Sequence, residues 1–416
     1  MTAQNKFAVL VINSGSSSVK FTLYRMPEET ILAFGAVERI GLESSRLEFR
    51  NIRGDIHRRP ASGETVKNAI AELMGLLTHA KWGVIKSNQE ISVVGHRVVH
   101  GGESITAPTL IDDAVKQIIA ENSRLAPLHN PSNLKGIHAC EALFPGIPHV
   151  AVFDTAFHAT LPEHAYLYGL PYDMYQEKGI RRYGFHGTSH QFVAKKAAAH
   201  LDRPLSELKL ITCHLGNGSS ITAVKGGRSI DTSMGFTPLE GTLMGTRCGS
   251  IDPAIVIHMM TGLKIPPDEI DHLLNRKSGF LGVAGIGSSD VRDVISAKQA
   301  GNRRAAAAVE IYGYQVRKYI GSYVAALNGV DAVVFTAGIG ENSPDIREMV
   351  CNGGDGMDRL GIVLDSEKNM AVPRTSPEIQ SHDSRVKLLV IPTDEALEIA
   401  RQAGKAITLA AYPSSG

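Results

Sequence analysis

The sequence lacks any long apolar run, and this absence argues against a membrane-spanning protein. A helix that crosses a bilayer needs about 20 consecutive apolar residues, and no segment of the 416 residues approaches that length. The apolar stretch 7–12 ends at Asn13 and is shorter than the core of a secretion signal. We therefore expect a cytoplasmic protein without a membrane partner.

An excess of charge and a cysteine motif are also missing. The 43 Lys and Arg residues balance the 42 Asp and Glu residues, so no extended field would attract nucleic acid or an anionic membrane. The four cysteines are scattered, without the spacing of a zinc or redox motif. We expect no nucleic-acid partner, and any anionic ligand must be bound by local groups.

What the chain does have is length, apolar residues and a repeated pattern. With 416 residues, 43% of them hydrophobic, it can bury two cores. Two segments share one design of apolar strand, Gly/Ser turn and second strand, namely FAVLVINSGSSSVKF and LKLITCHLGNGSSITAV. Gly15 and Gly218 lie 203 positions apart, close to half of the chain, so duplicated halves are the simplest explanation.

Helical and strand patterns alternate between and after these hairpins, which predicts an α/β class. Buried strands are expected at 91–100, 146–154 and 331–338, and a long amphipathic helix at 305–327. We predict an N-terminal domain over 1–155, completed by a C-terminal helix at about 396–416, and a second domain over 156–395.

Three glycine-rich turns each follow an apolar strand and are candidate phosphate sites, at 13–18, 216–220 and 338–343. Backbone N–H groups, hydroxyls and Lys20 suit phosphate oxygens, and a glycine turn that opens a helix suits phosphate or ribose. One such turn is more often only a turn, but three favour a nucleotide-phosphate site. The sequence has neither a P-loop pattern nor a dinucleotide-binding pattern.

His96 and His100 suggest a zinc site, but their context argues against one. A zinc helix needs Glu after the first His, whereas Arg97 stands there and two valines follow, which favour a strand. On a strand, which rises about 3.3 Å per residue, the two imidazoles would be too far apart to share a metal.

Two arginines in glycine-rich surroundings remain. Arg97 precedes a Gly-Gly turn, and Arg247 lies between Gly245 and Gly249. For one such arginine a surface ion pair is the more common explanation. Two of them together with His186 suit phosphoryl transfer, in which negative charge spreads over phosphate oxygens.

Ten motifs in order resemble those of the acetate kinase family: INSGSSSVKF, GHRVVHGGE, LAPLHNP, VFDTAFH, RRYGFHGTSH, HLGNGSS, DTSMGFTPLEG, MGTR, FTAGIGENS and IPTDE. The resemblance implies two duplicated actin-like ATPase domains of ribonuclease-H-like topology, with the active site in the cleft between them. It implies a homodimer that transfers the γ-phosphoryl group of ATP to acetate reversibly and in line, giving ADP and acetyl phosphate. It also implies Mg²⁺, with Mn²⁺ able to substitute. A propionate kinase and a non-catalytic nucleotide-binding relative are the alternatives.

The resemblance further implies roles for residues at the matching positions. The catalytic residues would be Arg97, Asp154, His186 and Arg247. The metal residues would be Asn13 and Glu395. The substrate would contact Arg97, Val99, Leu128, Phe185 and Pro238. The nucleotide would contact Ser16, Ser18, Lys20, His214, Leu215, Gly216, Asn217, Gly218, Ser219, Asp290, Val291, Arg292, Gly338, Ile339, Gly340, Glu341 and Asn342.

Several of these positions have a second explanation. Asp154, Asp290 and Glu395 could each cap or open a helix. Val99 favours acetate, because the matching position in propionate kinases is often Ala, but one methylene is worth only about 1–3 kcal/mol. Ser250 and Ala396 stand where the family pattern has Asp and Glu, and we expect these departures to weaken loop order or Mg²⁺ binding.

Overall fold

The computed structural model describes residues 6–62, 64–127, 129–371 and 376–411. Its strands are β1 (Phe7–Ser14), β2 (Ser18–Met26), β3 (Thr30–Glu38), β4 (Arg46–Asn51), β5 (Ile56–Pro60), β6 (Ile91–Val98), β7 (Thr109–Leu110), β8 (His149–Phe153), β9 (Lys209–Leu215), β10 (Ser219–Lys225), β11 (Arg228–Thr232), β12 (Ala332–Thr336) and β13 (Lys387–Val390). Its α-helices are α1 (Val66–Leu77), α2 (Asp113–Glu121), α3 (Asn130–Leu143), α4 (Glu163–Tyr166), α5 (Tyr172–Gln176), α6 (Gly187–His200), α7 (Pro253–Thr261), α8 (Pro267–His272), α9 (Gly279–Ala284), α10 (Val291–Gln299), α11 (Arg303–Leu327), α12 (Ala337–Asn342), α13 (Pro344–Cys351), α14 (Ser366–Ala371) and α15 (Glu395–Ala411).

The chain divides into two compact units. The first unit is Met1–Phe157 with Asp394–Gly416, and the second unit is His158–Thr393. The predicted functional domains, 1–155 with 396–416 and 156–395, stay a prediction, as does the cleft between them.

The first unit is built on an eight-stranded sheet in the order β5-β4-β3-β2-β1-β6-β8-β7. Successive residues of a strand face opposite sides. Val94 of β6 accordingly joins the core beneath α1 and α3, while Gly95 faces α15. A Cβ at Gly95 would lie 3.0 Å from the Ile399 side chain, so glycine permits the close approach of α15. This packing places the start of α15 in the same unit as the end of β6.

The second unit is built on a five-stranded sheet in the order β11-β10-β9-β12-β13. In each unit an antiparallel three-strand meander is followed by two strands parallel to its first strand. The second sheet thus has the order third, second, first, fourth, fifth, and the first sheet contains the same order as β3-β2-β1-β6-β8, with β4 and β5 added at one edge and β7 at the other. The shared order confirms the predicted α/β class, the ribonuclease-H-like topology and the duplication. Helix α11 packs against β9 and β10 and supplies much of the apolar core of this unit.

Most of the predicted elements are present, and one turn was predicted wrongly. The strand expected at 331–338 ends at Thr336, and the glycine turn expected to open a helix is itself the helix α12. The Glu341 carboxylate accepts a hydrogen bond from the Ala337 N–H at 2.8 Å, which favours the helical conformation over an open loop. Among the helices described, none combines the length and apolar character that a bilayer-spanning segment requires.

Candidate active site

Arg97 and Asp154 form an ion pair at the ends of neighbouring parallel strands. Arg97 lies on β6, and Asp154 follows β8, where its N–H donates to the Val98 carbonyl at 2.9 Å. The guanidinium donates to both carboxylate oxygens, from Nε at 3.0 Å and from Nη2 at 2.7 Å. Burial alone would lower the pKa of Arg97, but the charges of Asp154 and Glu395 raise it. The guanidinium therefore stays charged and is held in one direction, with Nη1 unpartnered among the described residues.

Glu395 is the third charged group of this cluster. It begins α15, and its Oε2 lies 3.7 Å from Arg97 Nε. Within the described part of the chain, no cluster of three or more His, Cys, Asp or Glu side chains is suited to a metal. Mg²⁺ at phosphoryl-transfer sites needs only one or two carboxylates, because phosphates and waters complete its shell. Asp154 and Glu395 fit a site of that kind.

The β1–β2 hairpin carries the first glycine-rich turn. The Gly15 N–H closes the turn on the Ser18 carbonyl at 2.8 Å. Asn13 and Lys20 are directly opposed across the two strands, so their side chains share one face. Ser16 and Lys20 are exposed and Ser18 is half-buried. The hairpin thus presents hydroxyls, an amide and a cation to solvent, which is the chemistry expected of a phosphate site.

The β9–β10 hairpin carries the second glycine-rich turn, and Arg247 and His186 lie beside it. A Cβ at Gly218 would stand 3.4 Å from Arg247 Nη1 and 3.4 Å from His186 Nε2. The Gly245 N–H donates to the Asn217 carbonyl at 3.0 Å, which ties the loop of Arg247 to the turn. The second unit therefore brings together the turn, the arginine and the histidine that the sequence predicts to act on a phosphoryl group.

Arg247 differs from Arg97 in having no carboxylate partner among the described residues. Its Nη1 donates to the Pro238 carbonyl at 3.1 Å and lies 3.7 Å from the Met244 sulfur. Burial lowers the pKa of Arg247, and the nearby charge of Arg276 lowers it further. A half-buried cation without a counter-charge is a favourable site for an anion.

The His186 ring is oriented by a network of polar side chains. His186 precedes α6 in the left-handed conformation, with φ of 58°, and its ring stacks on His214 at 4.1 Å between centroids. Its Nδ1 is hydrogen-bonded to the Ser220 hydroxyl at 2.9 Å. The same hydroxyl lies 2.7 Å from His190 Nε2, so His186 is braced from behind while its Nε2 edge lies near Gly218.

A family model described as the acetokinase family matches residues 8–401. The chain belongs to the acetokinase family. Two relatives are acetate kinases, from Methanosarcina acetivorans at 54% identity over 94% of this chain and 95% of the relative, and from Acetivibrio thermocellus at 54% identity over 95% and 98%. Among solved structures, Porphyromonas gingivalis acetate kinase superposes with a TM-score of 0.90 at 45% identity, covering 96% of this chain and 100% of that one. A propionate kinase from Francisella tularensis superposes with a TM-score of 0.89 at 38% identity, covering 96% and 99%.

The acetokinase positions predicted to bind nucleotide on α12 differ in what their side chains contact. Glu341 accepts from the backbone N–H groups of Ala337 and Thr393, at 2.8 and 3.0 Å, and Asn342 donates to the Gly338 carbonyl at 3.0 Å. Ile339 and Gly340 are buried, whereas Gly338 is exposed. Any nucleotide contact here would thus use mainly backbone atoms.

Asp290 is both a predicted nucleotide residue and the cap of α10. Its carboxylate accepts hydrogen bonds from the Arg292 N–H at 2.9 Å and from Arg292 Nε at 3.0 Å. Asp290 therefore caps α10, as the alternative interpretation of the sequence predicts. Val291 is buried and Arg292 is exposed. Their contact with adenosine stays a prediction.

The remaining nucleotide positions lie on the β9–β10 hairpin. The Ser219 hydroxyl donates a hydrogen bond to the Gly216 carbonyl at 3.1 Å and is hydrogen-bonded to the Tyr312 hydroxyl at 2.8 Å. Leu215 is fully buried in the core, and His214 Nδ1 is hydrogen-bonded to Ser189 at 2.8 Å. Within this set, Asn217 is exposed at the tip of the turn.

The predicted acyl-binding residues are distributed between the two units. Val99 lies just after β6 in the first unit and is buried. Phe185 and Pro238 belong to the second unit, where Phe185 is buried and Pro238 is half-buried. Leu128 lies outside the described residues. The shared acyl pocket stays a prediction.

Sequence reasoning overlooked residues that support the site from behind. The Arg347 guanidinium, fully buried, donates from Nη1 to the Gly340 and Glu341 carbonyls at 2.8 and 3.0 Å. Ser220, which braces His186, follows Gly218 and Ser219 directly, but a strand pattern does not tell which hydroxyl meets an imidazole. Ser250 is one of the two departures, and its hydroxyl accepts from the Gly241 N–H at 3.2 Å, so it links two parts of the Arg247 loop.

Proposed function

We propose that the chain is an acetate kinase, which transfers the γ-phosphoryl group of ATP to acetate and, in reverse, from acetyl phosphate to ADP. The observation that carries this proposal is Arg247, a half-buried cation without a carboxylate partner in the described part of the chain, beside His186 and Gly218. The 54% identity to two proteins named acetate kinase, over nearly the full length of the chain, supports the same reaction.

The chemistry needs charge neutralisation more than proton transfer. Acetate is already ionised at neutral pH, so one of its oxygens attacks the γ-phosphorus without a general base. The bond from that phosphorus to the β–γ bridging oxygen breaks, and ADP leaves with the electron pair. Negative charge spreads over the equatorial oxygens, and fixed cations and donors stabilise it.

Each polar group of the site has a place in this scheme. Arg247 and His186 donate to the phosphoryl oxygens, and His186 is held for this by Ser220. Arg97, directed by Asp154, binds the acetate carboxylate. The glycine-rich turns bind the nucleotide phosphates through backbone N–H groups, and α10 and α12 contact adenosine and its α-phosphate. The reaction requires both sets of residues at one phosphoryl group.

The metal proposed for the reaction is Mg²⁺, assigned to Asp154, Glu395 and Asn13. When bound, it would neutralise charge on the ATP phosphates. Chelator-treated protein should be inactive, and Mg²⁺ or Mn²⁺ should restore activity. Glu395→Gln should raise the Mg²⁺ concentration for half-maximal rate without lowering the melting temperature. An unchanged Mg²⁺ requirement in that variant would remove Glu395 from the metal site.

Acetate is proposed over propionate because Val99 fills space that a longer acid would need. The similarity to the Francisella tularensis propionate kinase keeps propionate as the second candidate. Purified protein should be given Mg-ATP with acetate or with propionate, and acyl phosphate trapped with hydroxylamine. A higher kcat/KM for acetate supports the assignment. A higher value for propionate makes the chain a propionate kinase, and no product with either acid contradicts the kinase proposal.

A homodimer is proposed from an apolar surface on the second unit. Every residue of α7, PAIVIHMMT, is at least partly exposed, and Ile257 and Leu263 are each more than half exposed. Ile311 and Tyr314 of α11 are exposed as well. Exposed apolar residues clustered on one helix, as on α7, are typical of a protein–protein interface.

The cytoplasm is the proposed location of the enzyme, because the proposed co-substrate ATP is abundant there. Cell fractionation would test that location.

A further inference from the structure

Helix α3 begins inside the motif LAPLHNP, to which the proposed reaction gives no role beyond Leu128. Asn130 and Asn133 lie one turn apart on this helix, and both side chains are buried. A buried amide is stable only if its donors and acceptor find partners. For Asn133 the partners are backbone groups of two chain segments that belong to the proposed site.

The side chain of Asn133 joins these two segments directly. Its Oδ1 accepts from the Val99 N–H at 3.1 Å, and its Nδ2 donates to the Ser14 carbonyl at 2.8 Å. Val99 is the proposed wall of the acyl pocket and lies two residues beyond Arg97. Ser14 ends β1 and follows Asn13 at the start of the Gly/Ser turn. One planar amide therefore sets the spacing between the acyl segment and the phosphate hairpin.

The rest of α3 holds Ser14 against the helix. The Ser14 hydroxyl donates to the Ser132 carbonyl at 3.2 Å. A Cβ at Gly136 would lie 2.6 Å from Ser14 Cβ, a distance that no side chain tolerates, so glycine is needed for this contact. The end of β1 is thus fixed by three neighbouring residues of one helix, and α3 acts as a rigid reference for the hairpin.

We propose that Asn133 is a positioning residue for the transfer reaction, and this inference rests on the proposed function. This role needs no contact with a substrate, because Asn133 acts by holding Val99 and the β1–β2 hairpin at a fixed spacing. Its loss should relax the discrimination between acetate and propionate, because the Val99 wall can then retreat. It should also weaken ATP binding, because the hairpin loses its tie to α3.

Asn130 offers a matched control on the same helix. Its Oδ1 accepts from the His100 N–H at 3.1 Å, and its Nδ2 donates to the His100 and Ile119 carbonyls at 3.0 and 3.1 Å. It is bonded to neither the Val99 N–H nor Ser14. Asn130→Ala therefore removes at least as many buried hydrogen bonds as Asn133→Ala. It leaves the bonds of Asn133 to Val99 and Ser14 in place.

The test measures kcat and KM for acetate, propionate and ATP, with melting temperatures, in the full-length wild type and in three variants. Asn133→Ala should lower the acetate-to-propionate ratio of kcat/KM by about tenfold and raise the KM for ATP. Asn133→Asp keeps an acceptor for the Val99 N–H, so it should retain most of that ratio while the KM for ATP rises. Asn130→Ala should leave the ratio unchanged.

An unchanged ratio in Asn133→Ala would overturn the inference, and so would an equal change in Asn130→Ala, since a general loss of stability would then explain both. A wild-type protein that forms no acyl phosphate from either acid would overturn the proposed function instead. The two failures are therefore distinguishable.

Discussion

At the scale of single residues, the two arginines of the proposed site, Arg97 and Arg247, differ in what balances their charge. Arg97 faces Asp154, whose side chain is 2% exposed, whereas Arg247 is bonded to the Pro238 carbonyl. Removing one partner of a buried ion pair leaves an uncompensated charge. Removing a cation that has no counter-charge relieves a desolvation cost. The same substitution should therefore affect stability differently at the two positions.

We predict that Arg97→Ala lowers the free energy of unfolding by about 3–5 kcal/mol, while Arg247→Ala changes it by less than about 1 kcal/mol. Both variants should lose at least about 100-fold in kcat, because each removes a cation from the transition state. Urea unfolding and the hydroxylamine assay give the two quantities. Equal stability losses would contradict the difference in charge balance, and an active, well-folded Arg247→Ala would remove Arg247 from the mechanism.

His158 gives a prediction for pH dependence. It is fully buried; its Nε2 donates to the Phe185 carbonyl at 2.9 Å, so Nδ1 accepts from Ser229. Burial lowers its pKa to about 4, below the ordinary value of about 6.5. Between these values the unfolded chain binds the proton more readily, so stability falls as the pH drops from 6.5 to 4.

We expect His158→Gln, which keeps a donor that can reach Phe185, to reduce this pH dependence by about 1–3 kcal/mol. Urea unfolding at pH 7 and at pH 4.5 measures it. His382→Gln replaces an exposed histidine and should leave the wild-type dependence intact. If His158→Gln also leaves it intact, His158 does not contribute to the pH dependence of stability.

At the scale of secondary-structure elements, α12, which we propose to contact the nucleotide, is held in place by a buried arginine of the next helix. Its last carbonyls accept hydrogen bonds from Arg347, which also donates to Asn369 at 2.7 Å. Burial lowers the pKa of Arg347 to about 10, and the guanidinium remains charged at neutral pH. The arginine thus holds the end of α12 in a place that solvent cannot reach.

We predict that Arg347→Met raises the KM for ATP several-fold and leaves the KM for acetate unchanged. The variant should also lose about 2–4 kcal/mol of stability, because several buried acceptors lose their donor. Arg317→Met is the matched control, since Arg317 donates to the Met349 and Val350 carbonyls at the end of α13. A similar rise in the KM for ATP in that control would show that the effect is not specific to α12.

At the scale of the whole molecule, the exposed face of α7 predicts a self-associating protein. Ile257 and Leu42 are both 61% exposed, but Ile257 lies within the α7 surface and Leu42 belongs to the first unit. Ile257→Lys should convert a dimer into a monomer, because a charge within an apolar interface has no partner. Light scattering after size-exclusion chromatography measures the mass. Leu42→Lys should remain a dimer, and a monomeric wild type would contradict the homodimer proposal.

The sequence by itself determined the family, the α/β class and the duplication. These features depend on local patterns, such as apolar strands that end in Gly/Ser turns, and on their order along the chain. The 203-residue offset between Gly15 and Gly218 already relates the two hairpins, because each half contains the same pattern of apolar strand, Gly/Ser turn and second strand. Candidate residues such as Arg97 and Arg247 could be named because glycines surround them.

Only the tertiary structure decided which partners these residues have. Arg97 is paired with Asp154, whereas Arg247 has no carboxylate partner among the described residues. This difference depends on contacts between distant segments. The bond that joins Arg347 to Asn369 and the link made by Asn133 depend on such contacts as well. Hydrogen-bond partners are chosen by packing in three dimensions, and no spacing along the chain encodes them.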